Sequence, residues 1–77
     1  MNPYIEANPR VMTGKPVIRG TRITVENILE RLGAGESVED LLEAYPQLSR
    51  EAIQGAMAFA AEMLSGEAVY PAPDAAA

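Results

Sequence analysis

The sequence predicts a mainly α fold, a bundle of three helices containing a helix-turn-helix, led by a short extended N-terminal β arm and expected to be dimeric. Three observations carry that expectation. Between residues 24 and 65, three apolar-periodic segments each begin behind a hydroxyl residue, and the first two stop at Gly or Pro. The second and third are separated only by the short turn Pro46-Gln47-Leu48. The chain has 77 residues and neither Cys nor His. A domain this small is marginal on its core alone, and with disulfides and the usual zinc sites excluded, self-association is the remaining support. The organisation read from this is an arm over 1–24, a three-helix domain over 25–65 and a tail over 66–77.

In the arm, Tyr4 to Ala7 is compatible with an edge strand and Asn8-Pro9 initiates a turn. Val11 and Met12 either add extended residues or plug a loop. Pro16 biases Lys15 away from the helical region, Val17 and Ile18 are β-branched, and Gly20 is free to take positive φ. Residues 17–19 therefore read as extended, followed by a turn at Gly20, with Ile23 packing onto the first helix. A strand at 4–6 pairs with them, or the same strands of a second chain supply the edge, since two short strands are marginal alone.

The first helix places Val25, Ile28, Leu29 and Leu32 on one face, with Thr24 as N-cap and Gly33 and Gly35 as the stop. The second places Val38, Leu41, Leu42 and Tyr45 alike; Ser37 and Asp40 resemble a capping box, and Asp40 suits the positive helix end. The third runs from Arg50 to about Leu64 behind Ser49, with Leu48 positioned as a staple onto Ile53. Its Ala52, Ile53, Ala56, Met57, Phe59, Ala60, Met63 and Leu64 fall on one broad arc. On the far side Gly55, Ala58 and Ala61 are small enough for another surface to come close. The apolar length beyond Ala56 points to a second protomer or a partner protein, unless alanine is there only as the best helix former. Beyond Ser65-Gly66 the tail is expected to be mobile in the free protein. Its only bulky apolar residues are Val69 and Tyr70, which are either anchors that fold on binding or chance decoration.

Charge is unevenly distributed. Residues 1–24 carry Arg10, Lys15, Arg19 and Arg22 against Glu6, a net +3, whereas residues 25–77 carry Arg31 and Arg50 against ten acids, a net −8. The overall −5 argues against a generic nucleic-acid binder, and the basic arm is where phosphate affinity would reside. No run is long enough to span a bilayer and no signal-peptide pattern is present, so a cytoplasmic protein without membrane contact is the default.

Catalysis has little to work with. No His is available as a base, Ser37, Ser49 and Ser65 fit cap or terminus positions, and Glu36, Glu39, Asp40 and Glu43 describe the solvated face of the second helix. Gly14-Lys15 lacks the upstream Gly and the following Ser or Thr of a phosphate-binding loop. The expectation is a protein that is not an enzyme and carries no cofactor or metal. As a helix-turn-helix, the third helix would offer Ser49, Arg50 and Gln54 to the major groove of double-stranded DNA, with Lys15, Arg19 and Arg22 on phosphates. Four phosphate contacts per dimer would give a slope of log K against log salt of about −3 to −4.

The blocks Gly14 to Ile23, Gly35 to Leu42, Tyr45 to Leu48 and Ala56 to Ala60 resemble, in order and spacing, the domain-of-unknown-function family 433 (DUF433) over about residues 4–64. The family pattern usually has Gly where Thr13 stands and often Pro where Thr24 stands. The resemblance implies a homeodomain-like helical fold and an antitoxin-like role in a toxin-antitoxin pair. Its partner would be a PIN-like nuclease toxin, met by the end of the third helix and the tail, for which Met57, Ala61, Leu64, Val69 and Tyr70 are the candidates. Operator DNA is the second expected ligand. The alternative is a protein-interaction or structural homodimer that binds no DNA.

Overall fold

The computed structural model describes residues 2–66. Its three helices each start where a side-chain oxygen accepts an amide that the first turn leaves without a partner. Thr24 Oγ1 accepts from Asn27 N at 3.0 Å and opens α1 (Val25–Gly33). Ser37 Oγ accepts from Asp40 N at 3.0 Å while the Asp40 carboxylate accepts from Ser37 N at 2.9 Å, a complete capping box on α2 (Val38–Ala44). Ser49 Oγ accepts from Ala52 N at 3.0 Å and opens α3 (Arg50–Leu64). α1 stops in a Schellman turn: Gly35 takes φ +101°, Gly35 N donates to Leu32 O and Glu36 N to Arg31 O.

The arm folds back on itself. β1 (Ile5–Glu6) pairs antiparallel with β2 (Val17–Ile18), Ile5 opposite Ile18 and Glu6 opposite Val17. β2 continues into a tight reversal over Gly20, where φ is +80°, and Ile18 N donates to Ile23 O at 2.9 Å. Between the strands lies a left-handed turn at Met12–Gly14 with φ of 49°, 56° and 87°. Two of its residues are not glycine, which disfavours the turn locally; Thr13 is the position at which the family resemblance expects Gly.

Two strands of two residues each do not stand alone, and here α3 supports them. Ile5, Ile18 and Ile23 are buried with Val25, Ile28, Leu41, Leu48, Ala52, Ile53 and Ala56 in one apolar interior, so the arm is a wall of the core. Tyr4 lies against Gly55 so closely that an added Cβ there would sit 2.9 Å from Tyr4 Cβ and Cδ2. Asn2 Nδ2 donates to Gly55 O at 2.8 Å beside it. The close approach expected on this side of the third helix is thus made by the chain's own arm.

α1 is tied to the helix-turn-helix by Asn27 Nδ2 donating to Tyr45 Oη at 2.8 Å, and the Arg31 guanidinium lies 5.0 Å from the centre of the Tyr45 ring. Leu48 and Ile53 are both buried in the interior, in keeping with the staple. Met57, Met63 and Leu64 depart from the core arc expected for α3, because their exposures are 37%, 60% and 66%. Full burial ends at Ala56; Phe59 and Ala60 are half-buried, and the last turn of α3 is exposed.

Gly55→Ala is expected to destabilise the domain by about 1 to 3 kcal/mol, since the contact is with the root of Tyr4 rather than a flexible tip. In a Tyr4→Gly background the same change should stabilise by up to about 1 kcal/mol through helix propensity. Thermal unfolding of the four variants checks both signs. The Ser37 amide, then its hydroxyl, hold the Asp40 carboxyl below the usual aspartate range. Its contribution is therefore present above the unfolded value near about 4 and lost as pH falls through the folded value. The difference in melting temperature between wild type and Asp40→Asn should be larger at neutral pH than in acid below that range.

Candidate functional site

Among the described residues, the end of α3 carries the most exposed large apolar side chains, Met63 at 60% and Leu64 at 66%. α3 has fifteen residues against nine in α1 and seven in α2, and its last turn, from Ala61 to Leu64, is exposed beyond the packed interior. Towards that end Phe59 and Met63 form one row at i, i+4 spacing, and Ala60 and Leu64 form the next. Opposite them α1 presents Val25 and Leu29, and Pro16 of the arm closes the wall. The space between is an apolar groove of about 430 Å³. A smaller hollow of about 190 Å³, lined by Ile5, Glu6, Ala7 and Glu62, shares Pro16 and Phe59 with it, so Phe59 stands between the two.

The rim of the groove is acidic. Glu26 and Glu30 follow one another at i, i+4 on α1, and Lys15 Nζ meets Glu26 Oε1 at 2.9 Å. The hydrogen bond to Glu26, the Glu26 charge and, more weakly, the Glu30 charge hold the Lys15 ammonium above the usual lysine range. Lys15 is therefore engaged within the chain.

The other candidate DNA-binding residues divide between structure and surface. Arg19 ties β1 to the β2 turn: Nε donates to Pro3 O at 2.8 Å, Nη2 to Ile5 O and Nη1 to Glu6 at 3.4 Å, while Glu6 also accepts from Gly20 N. Arg50 meets Glu39 at 2.8 Å. Arg31, which is not among those candidates, lies half-buried over Tyr45 and bridges to Glu36 at 3.4 Å. Ser49 is a helix cap. Gln54 is exposed, bordering a hollow with Asn2, Tyr4, Glu51 and Glu62, so the outward face of α3 in the helix-turn-helix carries two carboxylates. Among the described residues Arg10 and Arg22 make no ion pair. Arg22 is exposed on an open hollow of about 700 Å³ with Arg19, Asn27, Tyr45 and Gln47.

Of the candidate partner-binding residues, Leu64 lines the groove. Met57 and Ala61 are exposed further round α3, outside the groove lining. Val69 and Tyr70 lie outside the described residues. Leu29 and Phe59 pack against the core as their helical periods predict and also line the groove, where half-buried Ala60 and exposed Met63 join them. The signal for the exposed end was the length of the third segment against the first two. Among the described residues no group of three or more Cys, His, Asp or Glu is placed to hold a metal ion, and no helix is long and apolar enough to cross a membrane.

Residues 5–60 match the model of a family described as protein of unknown function, DUF433. The chain is 41% identical over 56 residues to an uncharacterized protein of Sinorhizobium fredii, covering 73% of this chain and 25% of that protein. It superposes on the crystal structure of a DUF433 member protein from Anabaena variabilis with a TM-score of 0.73 and 32% identity, over 78% of this chain and 58% of that one. It thus spans about a quarter of the Sinorhizobium protein and under two thirds of the Anabaena chain.

Arg19→Ala removes one short and two long charge-assisted hydrogen bonds at a largely exposed site, so a loss of about 1 kcal/mol is expected. That corresponds to a fall of about 4 to 8 °C in the melting temperature for a domain of this size. Arg22→Ala should leave the melting temperature within error. Differential scanning calorimetry of the two variants separates the structural arginine from the surface one.

Proposed function

The chain belongs to the DUF433 family of proteins of unknown function, and from that premise we propose that it is an antitoxin-type protein-binding module that docks and neutralises a PIN-like nuclease through the projecting end of α3. One observation carries the reading: the α1–α3 groove joins half-buried Leu29 of α1 and Phe59 of α3 to Met63 and Leu64, which the chain's own core leaves exposed at the end of α3. Exposed apolar clusters of this kind mark association surfaces. The charge distribution supports a protein partner over a purely nucleic-acid one, because Lys15, Arg19 and Arg50 face carboxylates of the same chain. A homodimer through the same groove, with no DNA role, is the competing assignment.

Operator DNA enters through Arg22, which is exposed beside Arg19 on the open hollow. A salt-sensitive complex with the protein's own upstream DNA, weakened on all sequences by Arg22→Ala, supports that second role. Its absence in a mobility-shift titration at low salt restricts the protein to partner binding.

The main test is co-expression with the product of a neighbouring PIN-like reading frame, followed by co-purification and a nuclease assay. Met63→Ser with Leu64→Ser should weaken capture and inhibition by at least about tenfold, the range expected for truncating central apolar anchors. The melting temperature should hardly change, since both side chains are already exposed. Full inhibition by the double variant would place the partner elsewhere and sink the assignment of the groove.

A further inference from the structure

We infer that the occupant of the α1–α3 groove is a basic amphipathic helix of a partner protein, an inference that rests on the protein-docking reading above and adds the partner's chemistry to it. The shape comes from the rows. Val25 and Leu29 on α1, and Phe59 and Met63 on α3, are i, i+4 pairs that flank the groove as two ridges. A third helix seats its own i, i+4 ridge in such a groove, with apolar side chains at i, i+3 or i+4, and i+7 pointing at the floor.

The charge comes from the rim. Glu26 and Glu30 run along the α1 edge, and Glu62 flanks Phe59 on the other side. Among the described residues the one cation lining the groove is Lys15, already held by Glu26. The last turn of α3 carries no basic residue to offset the negative end of its helix dipole. A helix with Lys or Arg beside its apolar stripe meets these carboxylates and terminal carbonyls favourably.

Competing occupants bring the wrong sign. In a second copy the projecting end of α3 carries Glu62 and no cation, so it would bring acid to the Glu26 and Glu30 edge. Residues 67–77 of the chain contain Glu67 and Asp74 and no Lys or Arg. An anionic bilayer surface would be repelled by the same rim.

The test uses three synthetic peptides with one length and fluorescent label. The first is a helix former with Leu at i, i+4, i+7 and i+11 and Lys on the flanks. The second is its twin with Glu in place of Lys, and the third a scramble of the basic peptide that destroys the stripe. Fluorescence anisotropy with the full chain is expected to show the basic peptide binding at least tenfold tighter than either control. Met63→Ser should weaken that complex, and Glu30→Lys should weaken it while improving binding of the Glu twin. Tighter or equal binding of the Glu twin, still sensitive to Met63→Ser, would overturn the charge inference and leave the docking reading standing. Equal binding of the scramble would overturn the helical register. A homodimer at micromolar concentration that Met63→Glu dissociates would overturn the inference in favour of a second copy. Absence of binding by all three peptides would sink the inference and the groove assignment together.

Discussion

The seat of Tyr4 on Gly55 is the constraint from which the rest of the structure follows. Only a residue without a side chain lets the arm come this close to α3, and an ordinary helical residue there would meet Tyr4 at its Cβ. With the arm seated, Ile5 and Ile18 enter the interior and two strands too short to persist alone acquire a buried face. Pro16 then stands beside Phe59, where it helps form both the groove and the smaller hollow. Displacing the arm would open the core and remove one wall of the candidate site together.

The arm also explains where the positive charge went. In sequence it looks like a basic leader ready for phosphate. In the fold, Arg19 holds two carbonyls and Glu6, while Lys15 holds Glu26. These ion pairs are partly exposed and individually weak. Their effect is on availability: the cations lie beside carboxylates, which lowers the field they offer to an anionic ligand. Arg10 and Arg22 are the arm's remaining cations, and the long acidic flank of α1 and α3 dominates the face that carries the groove. The apolar opening is thus bordered on its α1 side by Glu26 and Glu30, with Lys15 held against Glu26.

The projecting half of α3 shows how a short chain combines a closed core with an open binding face. The first half, through Ala52, Ile53 and Ala56, is sealed by α1, α2 and the arm. The second half continues the same apolar stripe, with Phe59 still half-buried and Met63 and Leu64 exposed. Because the stripe is continuous, the helix is anchored by its buried turns and presents Phe59, Met63 and Leu64 from a rigid base.

The sequence alone determined the number, order and ends of the helices. Thr24, Ser37 and Ser49 cap through local hydrogen bonds, Gly35 permits the left-handed turn, and the 3.6-residue period marks the faces that pack. It also marked α3 as having more apolar length than a bundle of this size encloses, and Gly55 as a place of close approach. Tertiary structure decided what came close and what remained open. Whether Gly55 receives a second protomer or Tyr4, whether Arg19 faces solvent or Glu6, and whether Phe59 lies in the core or beside it all depend on contacts between residues far apart in the chain. Periodicity and capping are set within a few residues, whereas the partner of a face is chosen by the path of the whole backbone.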